Sequence, residues 1–233
     1  MRVAIAAALA VTTVFAGLVA CTDEAPATTA GMDGGRDSGA TSSGGGEDTG
    51  GKRAPTGCLL RTTGFMIGDK TENVARTDVQ NTVDWSNLDG ALSEDGKFAT
   101  VTLSEGQESS TLRVSDFDFA IPEAAETWGI EVELKRRAPD GGVEDARIDV
   151  EIESKSTRFK LVDGPWPTSI VGTHAYGQAV DTWGADVSPS DFNKASFAAK
   201  LAVKRADGSA GPATALVESL RVAIHFCPEP VKK

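Results

Sequence analysis

The sequence predicts an all-β protein: a single antiparallel β-sandwich, jelly-roll-like, placed after a signal peptide and a disordered linker. Three observations predict it. From residue 58 onward, apolar side chains recur mostly with a period of two. The alternating runs are short and bounded by polar turns rich in Gly, Asp and Pro. Only one stretch, Ser188-Pro189-Ser190-Asp191-Phe192, has the chemistry of a helix start.

The first 20 residues, MRVAIAAALAVTTVFAGLVA, carry Arg2 as their one charge and are otherwise apolar apart from Thr12, Thr13 and Gly17. A basic start, an apolar run and small residues before a break describe a secretory signal peptide. A membrane span is the competing reading. The run is at the short limit for crossing roughly 30 Å of hydrocarbon, is alanine-rich, and is followed by acidic residues with no basic stop-transfer flank. Export is the better account. Leu18-Val19-Ala20-Cys21 at its end resembles the lipobox of bacterial lipoproteins. The resemblance implies that the signal is cut before Cys21, that Cys21 carries a thioether-linked diacylglycerol, and that the new N-terminus is acylated. Several chains anchor where one would not, since each buried methylene contributes only about 0.8 kcal/mol. In that family an Asp directly after the Cys favours inner-membrane retention. Here Thr22 holds that place, so the resemblance implies a cell-envelope location at the outer membrane or cell surface.

Residues 21–57 form the linker. From Thr22 to Gly57 there is no Val, Ile, Leu, Phe, Tyr or Trp, so burial cannot offset the entropy of ordering. Such a Gly/Ser/Thr/Asp tether has a root-mean-square reach of roughly 30–35 Å. Residues 58–233 then suit one domain with a proper core.

Within that domain, Leu112 and Val114 share one parity while Phe117, Phe119 and Ile121 take the other. One extra residue near Ser115-Asp116 would cause the switch, so a bulge is expected there. In Gly129–Lys135, Ile130, Val132 and Leu134 alternate with Glu131, Glu133 and Lys135: a strand with one wet face. Pro139-Asp140-Gly141-Gly142 turns the chain and Ala146–Glu153 alternates again, which predicts a hairpin. At the helical turn, Ser188 is the N-cap, Pro189 the first helical residue, and Asp191 closes a capping box. Phe197, Ala199, Leu201 and Val203 mark a further strand, Ala206-Asp207-Gly208 turns it, and Leu220, Val222, Ile224 and Phe226 carry the last, ending at Cys227. The stretches KRRAPDGG and KRADGSAG are alike but too short to make a repeat.

Charge narrows the partners. The chain has 23 Lys and Arg against 34 Asp and Glu, a net charge of −11, and losing the signal removes only a cation. Nucleic acid and anionic lipid are repelled by such a surface; the one dense basic run, Lys135-Arg136-Arg137, sits at a strand end beside a turn. With Cys21 assigned to lipid, Cys58 and Cys227 remain, and an even remainder in an oxidising compartment predicts a disulfide.

Candidate chemistry is sparse. The two histidines are His174, in the loop-like Gly172-Thr173-His174-Ala175-Tyr176-Gly177, and His225, which shares a solvent-facing parity with Arg221 and Ala223. No G-x-S-x-G, HExxH, CxxC pair or P-loop occurs. Asp116 and Asp118 alternate with Phe117 and Phe119 and so project from one side of a strand. A solvated face is the plain reading, Ca²⁺ ligation the alternative; a glycosidase pair would have to flank a sugar from opposite faces. Trp85, Trp128 and Trp183 read mainly as core, whereas Trp166, between two prolines, and Tyr176 read as loop residues able to stack on a ligand.

A second resemblance covers roughly Asp84 to the C-terminus. The order Trp85-Ser86-Asn87, Ala120-Ile121-Pro122, Gly129-Ile130-Glu131-Val132, Trp183-Gly184 and Asp191-Phe192-Asn193 is similar to a β-sandwich module of exported bacterial proteins and phage structural proteins. That module carries no catalytic residues over, and the resemblance implies display or binding. The expectation is therefore a lipid-anchored, non-catalytic β-sandwich serving adhesion, envelope structure or binding of a protein or glycan partner. A carbohydrate-binding module using Trp166 and Tyr176 is the alternative, and a hydrolase using Asp116 or Asp118 ranks last.

Overall fold

The computed structural model describes residues 58–162 and 164–228; the signal peptide, Cys21 and the linker lie outside them. In chain order the elements are β1 Arg61–Thr62, β2 Met66–Ile67, β3 Lys70–Val74, a 3-10 turn Leu88–Ala91, β4 Ala99–Leu103, β5 Thr111–Ser115, β6 Glu126–Arg137, β7 Val143–Glu151, β8 Gly172–Gln178, α1 Pro189–Phe192, β9 Ala198–Arg205 and β10 Ala213–Cys227. They form an antiparallel β-sandwich. One sheet has the order β1-β10-β6-β8, with β2 and β4 also on β10; the other has the order β3-β5-β9-β7.

Period-two alternation explains the layers. Ile130, Val132 and Leu134 from β6 meet Ile148 and Val150 from β7, Leu201 and Val203 from β9, and Leu220, Val222 and Ile224 from β10 in one buried core. All four tryptophans are buried, and Trp85, Trp166 and Trp183 belong to this core.

The expected hairpins are absent as hairpins. β6 pairs with β10 and β8, and β7 pairs with β9 in the opposite sheet. The turn at 138–142 therefore arches from one sheet to the other, and the turn at 206–212 does the same between β9 and β10. Alternation identifies a strand's wet face but not its partner, so an arch and a hairpin read alike. The two similar stretches are these two arches, and they pack together: Ala206 donates its N–H to the Gly142 carbonyl at 2.8 Å. Gly142 has φ +68°, and a Cβ there would sit 2.5 Å from Ser209 Oγ. We call this end the arch pole.

The expected bulge is also replaced. β5 stops at Ser115, and Asp116 and Asp118 adopt left-handed φ of 64° and 50°, a region Asp tolerates better than most residues. The switch of parity is thus an exit from the sheet. It folds Phe117 and Phe119 onto Phe197, with Phe192 alongside. Bulges occur elsewhere, between Asp145 and Arg147 and at two places in β10.

The capping box at α1 forms as expected. Ser188 donates its N–H and its hydroxyl to the Asp191 carboxylate, each at 2.7 Å, and Lys155 Nζ lies 2.7 Å from the same carboxylate. Burial pushes the Asp191 pKa up, but the bonds from Lys155 and Ser188 outweigh it and hold the group below the ordinary Asp value. Its contribution is therefore present above the unfolded Asp pKa and is lost as pH falls through the depressed folded value. Asp191→Ala is expected to cost about 1 kcal/mol at neutral pH, and the deficit against wild type should shrink in urea melts at acid pH.

At the end opposite the arches, Cys58 and Cys227 form a disulfide with Cα atoms 6.0 Å apart across a separation of 169 residues. It fixes the start of the described chain to the end of β10, beside the two-residue pairing of β1 with β10.

Candidate functional site

Trp166 and Tyr176 do come together, but inside the protein. They are 1% and 3% exposed, so neither ring can be offered to a sugar, and the stacking platform is withdrawn. Tyr176 and His174 lie in β8 and not in a loop. The flanking Pro and Gly residues suggested exposure, whereas Trp166 packs inward and its N–H meets the Val143 carbonyl at 2.9 Å.

What gathers them is an ion pair between the sheets. Arg136 of β6 and Asp145 of β7 are 5% and 4% exposed and bonded to each other. The same carboxylate accepts from Trp166 Nε1 at 2.8 Å, from the Tyr176 hydroxyl at 2.7 Å and from the Val162 N–H at 3.3 Å. Arg136 also donates to the Tyr176 oxygen at 2.5 Å and lies 4.9 Å from the Trp166 ring centre. Burial, then the Asp145 charge, push the Tyr176 pKa far up, so the hydroxyl stays protonated and donating. His174, edge-on to Tyr176 at 4.9 Å, is pushed down by burial and by Arg136. This cluster is a closed structural knot. Sequence parity pointed to it: Arg136 continues the inward series Ile130, Val132, Leu134, and only its charge hid it.

Asp116 and Asp118 do not share a strand face, since both follow the end of β5. Asp116 faces Lys70 at 3.3 Å. Among the described residues no three His, Cys, Asp or Glu side chains are grouped to hold a metal ion. His225 keeps its expected outward parity and sits 3.2 Å from Glu131.

The concave feature with chemistry on it lies on the outer face of the β3-β5-β9-β7 sheet. Register aligns Glu72, Arg113, Lys200 and Asp149 in one row across four strands. In the next row Thr111 and Ala202 are short, and a depression of about 220 Å³ opens above them. Arg76 and Asp78, from the chain after β3, form part of its wall with Arg147 and Lys200. Charges are paired throughout: Arg76 with Glu108 at 2.5 Å and Asp78 at 2.8 Å, Arg147 with Asp149 at 2.6 Å, and Lys200 with Asp149 at 3.2 Å. The bond from Arg76 holds Asp78 below the ordinary Asp value. On one side Lys160 bridges to Ile148 and turns Phe159 and Leu161 outward, 55% and 50% exposed, with Arg147 5.5 Å from the Phe159 ring centre. The surface offers fixed donors and acceptors with an apolar lip, which suits a polar partner. A second depression, of about 300 Å³, lies at the arch pole between residues 105–108 and 204–208. Neither was foreseen, because which outward charges meet depends on register between distant strands. Compared with known protein families the chain matches none, and compared with curated proteins it has no significant match.

Proposed function

We propose that this is a lipid-anchored protein of the cell envelope that displays a non-catalytic β-sandwich for adhesion, envelope structure or partner binding. One observation carries the reading: the clasp and the concave surfaces belong to different parts of the domain. The chain joins the sandwich at Cys58, tied to the end of β10, while the arches lie where β10 begins. A 15-residue strand separates them by roughly 45–50 Å. The clasp thus marks one pole of the sandwich, the arch-pole depression lies at the other and the charged depression on the flank, which suits display of surfaces remote from the clasp.

The non-catalytic reading is supported by the state of the acids on that flank. Asp149 and Asp78 are each engaged by cations, which suits recognition better than proton transfer, where an acid is kept poised by its surroundings. The glycan reading loses the two aromatic residues that suggested it.

The anchor is tested by Cys21→Ser, followed by fractionation and labelling with a radioactive fatty acid. Wild type is expected to be labelled and to sediment with membranes, and the variant to be unlabelled and released. A processed variant that still sediments with membranes would overturn the reading.

A further inference from the structure

A sheet edge presents unpaired backbone N–H and C=O groups, and proteins shield such edges with charge, proline or a covering segment. Three edges of this sandwich are shielded. The Asn73 side chain of β3 exchanges two hydrogen bonds with the Trp85 backbone, at 2.8 and 2.9 Å, and β3 also carries Lys70 and Glu72. β7 is covered by backbone bonds between Ile148 and Lys160, at 2.7 and 3.1 Å, and by Trp166 bonding Val143. β4 is covered by Ser86, which exchanges two backbone bonds with Thr100.

β8 differs. It pairs with β6 along all seven residues on one side, and among the described residues no backbone hydrogen bond reaches its other side. Its sequence, Gly-Thr-His-Ala-Tyr-Gly-Gln, has no Lys, Arg, Asp, Glu or Pro. The outward side chains Thr173 and Ala175 are small and exposed, and Ile170, just ahead, is 70% exposed. We propose that β8 is a strand-addition site and that its occupant is β8 of a second copy of this chain, paired antiparallel about Ala175.

Charge favours that occupant and that direction. The chain is strongly acidic, and β8 is a place where two copies can approach without setting like charges against each other. Beside it, the outer face of β6 runs from Glu131, next to Gly177, through Glu133 to Lys135, next to Thr173. A two-fold axis at Ala175 sets Thr173 opposite Gly177, so Lys135 of one copy shares a row with Glu131 of the other. A parallel pairing would put like beside like. The two-fold also sets exposed Ala175 opposite itself and exposed Thr173 opposite Gly177 in both directions, the self-matching that a symmetric dimer requires. Gly177, at φ +81°, kinks one end of the strand, and a seam of at most seven residues is no more than about 23 Å long, so the contact is small and weak. The high local concentration of anchored copies would populate it. The seam itself is built from β8 and holds whether or not Cys21 carries lipid.

The test is oxidative cross-linking of the full chain in its own cells, with Ala175→Cys compared with Thr102→Cys, an exposed site on β4. Ala175→Cys is expected to give a homodimer at least tenfold faster than Thr102→Cys, which reports random collision in the same compartment. Adding Thr173→Glu, an exposed change that leaves the core untouched, masks Lys135 and sets a carboxylate toward Glu131 of the other copy, and should return the rate to the Thr102→Cys level. Equal rates for the two cysteines, indifference to Thr173→Glu, or cross-linking of residue 175 to a different protein would each overturn the proposal.

Discussion

Asp145→Asn should be the most damaging conservative substitution in the domain. The amide keeps the shape but removes the charge that Arg136 faces at 6% side-chain exposure, with Asp145 itself fully enclosed. Removing one partner of a buried pair leaves the other charged and unpaired, which typically costs about 3–5 kcal/mol. Trp166 Nε1 and the Tyr176 hydroxyl lose their charged acceptor as well. In a domain of this size each kcal/mol moves the melting temperature by about 2–4 °C, so a fall on the order of 10 °C is expected in calorimetry. Arg136→Met added to Asp145→Asn should recover part of it by removing the stranded guanidinium, and the two aromatic donors set the part that stays lost. A double variant no more stable than the single one would show that the knot is not held by its charge pair.

Replacing both Cys58 and Cys227 by Ser should come next. The bridge closes a loop spanning 169 residues of separation, and loss of a native disulfide typically costs about 2–5 kcal/mol. Cys227 is fully buried, so Ser also places a hydroxyl in an apolar setting. The damage should begin locally. β1 pairs with β10 through Arg61 and Thr62, and Thr63 adds two bonds to Ile224; without the clasp this short attachment should open, and the segment before β2 should be cut by protease ahead of global unfolding. Reduced wild type should match the double variant in urea melts; agreement between oxidised wild type and the variant would deny the clasp a stabilising role.

How much of this was legible in the residues themselves varies with the range of the interaction. Ile130, Val132 and Leu134 declared an inward face, and Ser188, Pro189 and Asp191 declared a capped turn, because both signals depend on neighbours within a few positions. The layer architecture followed from the same alternation. Strand partners did not: Gly141 and Gly142 supply positive φ for an arch as readily as for a hairpin. Asp145 was hidden because the irregularity between Asp145 and Arg147 breaks the parity of β7. Tyr176 was misplaced because Gly177, at φ +81°, resembles a turn residue while lying in a strand. The charged depression is the extreme case, since Glu72, Arg113, Lys200 and Asp149 come from four strands spread over nearly 130 residues of register.

The two arches have a consequence for how the chain becomes a sandwich at all. Among the described residues no strand pairs with its neighbour in sequence, and β10, the last, is the strand on which β1, β2, β4 and β6 all assemble. No local hairpin can nucleate ahead of the rest, so distant segments must close before pairing rewards them, and folding should be slow. A chain emerging N-terminus first from a ribosome can bring β6 and β8 together, but its larger sheet lacks the central strand until β10 has followed. Strands β1, β2 and β4 therefore wait, without their sheet partner, for the last strand to be made.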